Sequence, residues 1–476
     1  MSEKKVLISK ENMAEWYQNV VASADLAEHS QVKGCMTIKP YGYAIWELMK
    51  NELDRLFKKH GAKNMCFPLF IPYSYLSREK EHVEGFSPEI AVVTYAGGKK
   101  LEEPLVVRPT SETIIHESMK RWIRSYKDLP LRVNQWCNVV RWEKHPRLFL
   151  RTSEFQWQEG HTAHATEEEA RREVSEMVEI YYSFMRDFLA IPTIKGQKSE
   201  KEKFAGAVES YSVEALMEDN KAVQMGTVHY LGQNFSKMAG VKFVDNLGQE
   251  NFVHMTSWGV STRMIGGLIM VHGDDKGLVL PPKVAPVQIV VVPISDKTKD
   301  IAKKLYQELD KNDFRVELDD DDDMRFGAKC YKHEMRGIPV RIEIGEKELN
   351  ENKIQCAIRV SGEKIKLSLD GNYIQELREL LEKIQNEILE KATKRLNDNI
   401  VEAKNKEDFE NLIKNQEGFI KAYWCNEKEC ELNIKEATGA NTRNLPFAEN
   451  EKELKDCKCI WCGKKALKVA YFAKAY

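Results

Sequence analysis

No stretch of the chain stays apolar for the roughly 20 residues that a membrane-spanning helix needs, which excludes a helical membrane protein. Neither sign of charge is in excess: 72 Lys and Arg stand against 74 Asp and Glu, a net charge of -2. That balance gives no global attraction to a polyanion, so a nucleic-acid partner must be held by a local basic surface. The first residues, Met1-Ser2-Glu3-Lys4-Lys5, lack the basic-then-apolar form of a secretory leader, which points to the cytoplasm. No internal repeat is found. Cys35, Cys66, Cys137, Cys330 and Cys356 are scattered through apolar stretches, where buried thiols are expected rather than disulfides.

The 476 residues exceed one ordinary core and imply two to four domains, and 42% apolar against 31% charged residues is the balance of a folded chain. Tyr43, Trp46, Leu53, Leu56 and Phe57 recur at helical spacing before Gly61, which predicts a long amphipathic helix. Met65 to Ile71, Leu105 to Val107, Arg132 to Trp142, Phe149 to Gln158 and Val253 to Trp258 read as strands, and Glu167 to Leu189 as the clearest helix. Pro281, Pro282 and Pro286 mark a joint. Beyond it, Val287 to Val292, Lys297 to Asp310, Arg315 to Leu318 and Arg325 to Arg336 alternate between strand and helix, as in a small α/β domain with a mainly parallel sheet. Residues 372 to 412 carry Glu, Lys and Leu at helical spacing, and a cysteine-bearing tail starts near Ile420.

Five segments carry chemistry. Arg108-Pro109-Thr110-Ser111-Glu112 opens a helix; Thr110 suits a cap there, while Thr110 and Glu112 together also suit an ammonium group. Two apolar strands around a basic loop with Lys144, His145 and Arg147 carry Arg141 and Arg151, a hairpin that either presents cations to a phosphate or forms surface ion pairs. Trp157, Glu159 and His161 alternate and so share one face, an aromatic wall beside two polar groups. Gln224 lies opposite Thr227 or beside it, depending on a bulge at Gly226. Gly259 lets a ligand approach the backbone, and Arg263 stands in the first turn of a helix opened by Ser261 or Thr262, against the dipole preference, which means either an anion nearby or a solvated side chain.

These pieces, in this order, resemble the class II aminoacyl-tRNA synthetases, and in detail the prolyl-tRNA synthetases of the shorter, archaeal and eukaryotic-like type, from about residue 10 to Tyr476. The helix ending near Gly61 with Pro68 resembles the first class II motif, the Arg141 hairpin the second, and Gly259 to Gly267 the third. Arg108 to Glu112, Gln156 to His164 and His272 to Leu278 resemble signatures of the prolyl branch. The resemblance implies an α+β class II catalytic domain, an antiparallel sheet with helices, over 1–282. An α/β anticodon-binding domain over 283–390 and a small carboxyl-terminal zinc-binding α+β domain over 391–476 follow.

It further implies ATP-dependent attachment of L-proline to tRNA(Pro) through a prolyl-adenylate, by a homodimer joined at the first motif. Thr110, Glu112, Trp157, Glu159, His161, Phe204, Ser257 and Gly259 would surround proline. Arg141, Arg151, Thr152, Gln224, Thr227, Ser261 and Arg263 would hold ATP, with Arg141 and Arg263 stabilising the reacting phosphates. Magnesium is expected with ATP, and Glu143 is a candidate ligand. Base contacts to the anticodon would come from Arg341, Glu343 and Lys347, whereas Asp319 to Asp323 reads as a solvated acidic turn capping a helix. The terminus at Tyr476 resembles a family terminus that approaches the active site.

Cys425 and Cys430, then Cys459 and Cys462 after 28 intervening residues, give two close thiolate pairs with the spacing of a structural tetrahedral zinc site; Cys457 is a fifth candidate. Only 62 residues separate His161 from Gln224, too few for a large editing insertion, so alanine activation is expected. Two alternatives stand beside this reading. One is a synthetase of the same class for another amino acid, such as threonine, against which the apolar wall at Trp157 speaks. The other is a zinc-bearing RNA-binding relative without catalysis, which would have no use for both Arg141 and Arg263.

Overall fold

The computed structural model describes residue 10, residues 12–77, 90–447 and 454, and residues 456–476; the reading of residues 1–5 lies outside them. The amino-terminal part contains α1 (Met13–Ser23) and α2 (Pro40–Lys59), then β1 (Lys63–Asn64), β2 (Phe70–Pro72), β3 (Ala91–Ala96), β4 (Lys99–Val107) and α3 (Glu112–Trp122). After these come β5 (Leu131–Val140), β6 (Glu154–His164), α4 (Glu167–Asp187), β7 (Ile194–Gln197), β8 (Glu209–Leu216), β9 (Ala222–Gly232), β10 (His254–Ser261) and α5 (Arg263–His272). Strands β7, β8, β9, β10, β6 and β5 lie side by side in that order, all antiparallel. This is the antiparallel sheet expected of the catalytic part. Of the residues whose spacing predicted this helix, α2 buries Trp46, Leu53 and Phe57 and half-buries Tyr43 and Leu56, while Ile45 and Met49 complete the buried face; Phe57 packs on Trp136, Tyr181 and Trp258.

The second unit comprises β11 (Ile289–Pro293), α6 (Lys299–Lys311), β12 (Val316–Leu318), α7 (Phe326–Met335), β13 (Val340–Ile344), β14 (Lys353–Ile358), β15 (Lys364–Ser368) and α8 (Tyr373–Asp398). The expected mainly parallel sheet is mixed: β11 pairs in parallel with β12 and β13, but β14 and β15 close the other edge antiparallel. The reason is local. Only β12 and β13 are reached through helical crossovers, whereas β14 and β15 follow by short connections that can join only antiparallel neighbours.

The third unit holds β16 (Ile400–Glu402), α9 (Lys406–Asn415), β17 (Phe419–Trp424), α10 (Lys428–Thr438), β18 (Asn441–Pro446) and β19 (Lys468–Ala473). The continuous helical pattern read over 372 to 412 is therefore split by β16 into α8 and α9, and α8 carries across position 390. The order β16-β17-β19-β18 continues directly into β7, because Leu445 pairs with Gln197 and Pro446 with Gly196. The carboxyl-terminal unit and the catalytic sheet thus form one 11-stranded sheet.

Other local readings shift. The strand expected from Phe149 starts only at Glu154, because Arg147 and Arg151 pair their backbones around a tight loop in which Phe149 takes φ 60°. Of the five scattered cysteines only Cys356 is buried; Cys35, Cys137 and Cys330 are partly buried and Cys66 is exposed. Asp319 is not a solvated turn residue: it is buried and bonded by Lys332 (3.1 Å) and by His333 Nε2 (2.7 Å). Among the described residues no helix is long and apolar enough to cross a membrane.

Candidate active site

Register across three strands builds the site row by row. Thr227 of β9 pairs with Gly259 of β10, which pairs with Glu159 of β6; the next row is His229, Ser257 and His161. Ser261 and Trp157 form a third. Residues two apart on a strand point the same way, so all of these project from one face of the sheet. Between β8 and β9 the register slips, with Val213 opposite Gly226 and Glu214 opposite Gln224, leaving Met225 as the extra residue of a bulge. The bulge turns Gln224 onto the face of Thr227 and His229, which settles the alternative that alternation left open.

These side chains line a cavity of about 220 Å³ that also receives Thr110, Glu112, Phe204, Arg141 and Arg263. Arg141 follows the end of β5; its Nε donates to the Pro109 carbonyl at 2.9 Å and its guanidinium lies 5.3 Å from the Trp157 ring and 5.6 Å from that of Phe155. Arg263 opens α5, with its backbone N–H donated to Ser261 Oγ (3.2 Å) and its Nε to the Leu150 carbonyl (3.1 Å). Burial, then the neighbouring Arg141, pulls Arg263 down to about 10, far below an ordinary guanidinium. Two partly buried cations that repel each other in one cleft are a site shaped for an anion.

Opposite them the cleft is acidic. Thr110 Oγ1 donates to the Glu112 carboxylate, and Ser111 Oγ to that of Glu159, so neither hydroxyl caps α3 as the sequence suggested. Glu159 also accepts from Gln135 Nε2 (2.6 Å), and its second oxygen meets His161 Nε2 at 3.1 Å. Burial alone would lower His161, but Glu159 and Glu112 outweigh it and the imidazole is raised. A cation and an apolar ring together match this lining: carboxylates on one side, Trp157 and Phe204 on the other.

Arg151 and Thr152 are not part of that wall. Arg151 is exposed and pairs with Glu143, while Thr152 Oγ1 donates to the Glu154 carbonyl at 2.7 Å. Glu143 accepts from Arg151 and from the His145 backbone N–H (2.9 Å), one bond on each oxygen, which leaves acceptor sites for a metal. Eight lining residues lie outside the set predicted from sequence: Phe155, Lys198, Glu202, Met225, Gly226, His229, Trp258 and Val260. His229 was recoverable, since it follows Thr227 by two on the same strand; it stacks on Phe204 at 4.6 Å, and burial pushes it down to about 3. Lys198 lies past the end of a four-residue strand with no pattern to mark it.

Away from the cleft, Cys425, Cys430, Cys459 and Cys462 bring all four Sγ atoms within 4.8 Å of one another, with Cys430–Cys459 and Cys425–Cys462 at 3.7 Å. Four thiolates at ordinary Zn–S length define a tetrahedron with an edge of roughly 3.8 Å, so the donor set fits zinc. Cys457 is outside this group. In the second unit Arg341 and Glu343 are buried and bonded to each other at 2.9 Å, Glu343 also accepting from Gln355 and Lys364, whereas Lys347 is exposed.

An antiparallel sheet that sets one arginine after a hairpin strand and another at a helix start, facing a single cleft, defines a class II aminoacyl-tRNA synthetase. Residues 95–272 match the family model "tRNA synthetase class II core domain (G, H, P, S and T)", 288–387 "Anticodon binding domain", and 406–476 "Prolyl-tRNA synthetase, C-terminal". The chain is 48% identical to "Proline--tRNA ligase 2" of Clostridioides difficile (strain 630), covering 98% of this chain and 97% of that protein. It is also 48% identical to the proline--tRNA ligase of Ruminiclostridium cellulolyticum, over the whole of both chains. Crystal structures of prolyl-tRNA synthetase from Cryptosporidium parvum, one with halofuginone and AMPPNP and one with L-proline and AMP, superpose with TM-scores of 0.94 at 40% and 39% identity. They cover 98% and 100% of this chain, and each is itself covered to 98%. The chain belongs to the proline--tRNA ligases, the enzymes that attach proline to tRNA.

Proposed function

We propose that this chain makes prolyl-tRNA in two steps, with the cleft beside Trp157 holding ATP and L-proline together. The convergence of Arg141 and Arg263 on the cavity that Thr110, Glu112 and Trp157 also line carries this reading. The secondary ammonium of proline meets Glu112 and Thr110, and its ring lies against Trp157 and Phe204, framed by His161, Ser257 and Gly259. Glu159 acts by holding Ser111, Gln135 and His161 in place. Arg141 bridges the proline carboxylate and the α-phosphate, Arg263 steadies the far phosphates, and Gln224, Thr227 and Ser261 contact the nucleotide, with Arg151 and Thr152 serving from outside the wall. The carboxylate oxygen attacks the α-phosphorus as pyrophosphate leaves; the tRNA terminal hydroxyl then attacks the adenylate carbonyl, releasing AMP. Magnesium accompanies ATP and shields its phosphates. Proline-dependent exchange of labelled pyrophosphate into ATP tests the assignment, and its absence in pure protein with magnesium would leave an RNA-binding role without catalysis.

The wider reading divides the chain into 1–282, 283–390 and 391–476, with the second unit binding the anticodon through exposed Lys347, beside the buried Arg341–Glu343 pair, and the third holding structural zinc. The enzyme works in the cytoplasm as a homodimer. Phe70, Tyr73, Val92 and Tyr95, on or beside the sheet β2-β4-β3, are exposed apolar side chains that a second copy would cover. Sedimentation equilibrium should give a dimer, and a lone chain at micromolar concentration would refute it.

Strands β6 and β9 are joined by 57 residues, most of them in α4, β7 and β8, which leaves no editing domain between them. A proline pocket rejects the smaller alanine by only about 1–3 kcal/mol. Alanine at high concentration should therefore drive pyrophosphate exchange with kcat/KM roughly 10- to 200-fold below proline, and complete inertness toward alanine would show that the pocket discriminates by other means.

A further inference from the structure

We propose that Lys198 is a positioning residue for the nucleotide, held in the cleft by the carboxyl-terminal unit through a contact between Ser199 and Glu431. This rests on the cleft being the ATP site. Lys198 and Ser199 follow β7 and face opposite ways. Lys198 lines the cavity, and its Nζ donates to Gln224 Oε1. Ser199 Oγ donates to Glu431 Oε1 at 2.9 Å, both side chains being buried, and Glu431 is the neighbour of Cys430 on α10.

The first contact fixes an orientation. An ammonium has only hydrogens to offer, so the Gln224 oxygen must turn toward Lys198 and the amide nitrogen away from it, leaving two donors free for the ligand. A Gln224 released from Lys198 can flip and present its oxygen to a phosphate, which repels it. Lys198 is also partly buried, and among the described residues no carboxylate forms an ion pair with it. Burial, the largest influence, lowers its affinity for the proton, with Glu214 opposing. Such a cation beside Arg263 is offset by an anionic ligand.

The second contact explains what keeps Lys198 there. The Ser199 carbonyl accepts from the backbone N–H groups of Glu202 and Lys203, and its hydroxyl from that of Glu202, so Ser199 begins the turn that leads to Phe204. The carboxyl-terminal unit grips this turn at Glu431. A second tie lands beside it: Arg443 of β18 pairs at 2.6 Å with buried Glu214, the residue directly opposite Gln224. Loosening Glu431 should therefore disturb the nucleotide side of the cleft, where Lys198 and Glu214 both bear on Gln224, more than the proline side, which this turn reaches only at Phe204.

A double-mutant comparison in the full-length protein tests this by pyrophosphate exchange, with Arg263→Ala reporting separately on whether the cleft is the ATP site. Lys198→Met should raise KM for ATP about tenfold with KM for proline within about twofold. Ser199→Ala and Glu431→Ala should raise KM for ATP about fivefold, and Glu431→Gln, which keeps an acceptor, should restore it. In the Lys198→Met background, Glu431→Ala should add nothing. The proposal is overturned if KM for ATP is unmoved by Lys198→Met, or if the Glu431→Ala effect persists in full without Lys198. Should Glu431→Ala fail to fold, Ser199→Ala supplies the same comparison.

Discussion

Arg263→Ala should lower proline-dependent pyrophosphate exchange by about a hundredfold or more while leaving the fold intact, an effect on the order of 3 kcal/mol in the barrier. Arg141→Ala should do the same. The expected loss follows from preorganisation: both guanidinium groups already face the cavity, so on the proposed reading they would stabilise charge developing on the phosphates without having to reorganise. The stability half of the expectation is sharper. Arg263 spends its Nε on a backbone carbonyl, is desolvated, and is pushed down to about 10 by burial and by Arg141. A partly buried cation facing another cation contributes little to the stability of the unliganded protein, so its removal should leave Tm unchanged or raise it. Exchange kinetics and a melting curve on the same preparation check both halves. A variant that loses activity only because it melts early would show that Arg263 is a structural residue. A variant with wild-type exchange would remove it from the phosphate site.

Much of this site was legible because its chemistry is written in strand periodicity. Trp157, Glu159 and His161 alternate, and the strand keeps that register against Ser261, Gly259 and Ser257. What the pattern could not supply is three-dimensional. The bulge decides which face Gln224 takes; Gly226 hinted at one, but alternation alone could not say that it forms or that Met225 is the inserted residue. Lys198 enters from the end of a short edge strand, and its significance depends on β18 pairing with β7, a contact between residues about 250 apart. The splitting of residues 372 to 412 has the same origin: β16 is three residues long and exists because it pairs with β17, so local helix preference lost to a tertiary partner. Hydroxyls at Thr110 and Ser111 look like caps in sequence, and become carboxylate ligands only because Glu112 and Glu159 are folded against them.

Removing the carboxyl-terminal thiolate cluster should cost more than the small unit that holds it. Full-length protein is expected to carry about one zinc per chain, measurable by atomic emission. Cys430→Ser and Cys459→Ser should each abolish it, while Cys457→Ser should retain it, because Cys457 lies outside the group whose sulfurs approach within 4.8 Å. In a cluster so tight, four thiols without a cation cannot all ionise, and a bound zinc would supply the cross-link between the start of α10 and the loop before β19. An isolated appendage would then melt alone and leave catalysis untouched. Here β18 is hydrogen-bonded to β7 within one sheet, and Ser199 and Glu214 are both tied to that unit, so the disturbance runs into the cleft. Calorimetry of Cys430→Ser should show a new transition below the main one, and exchange activity measured beneath that transition should already fall about tenfold, as is typical when groups supporting a site are lost. Full activity in a zinc-free variant whose carboxyl-terminal unit has melted would show that the continuous sheet carries no functional coupling.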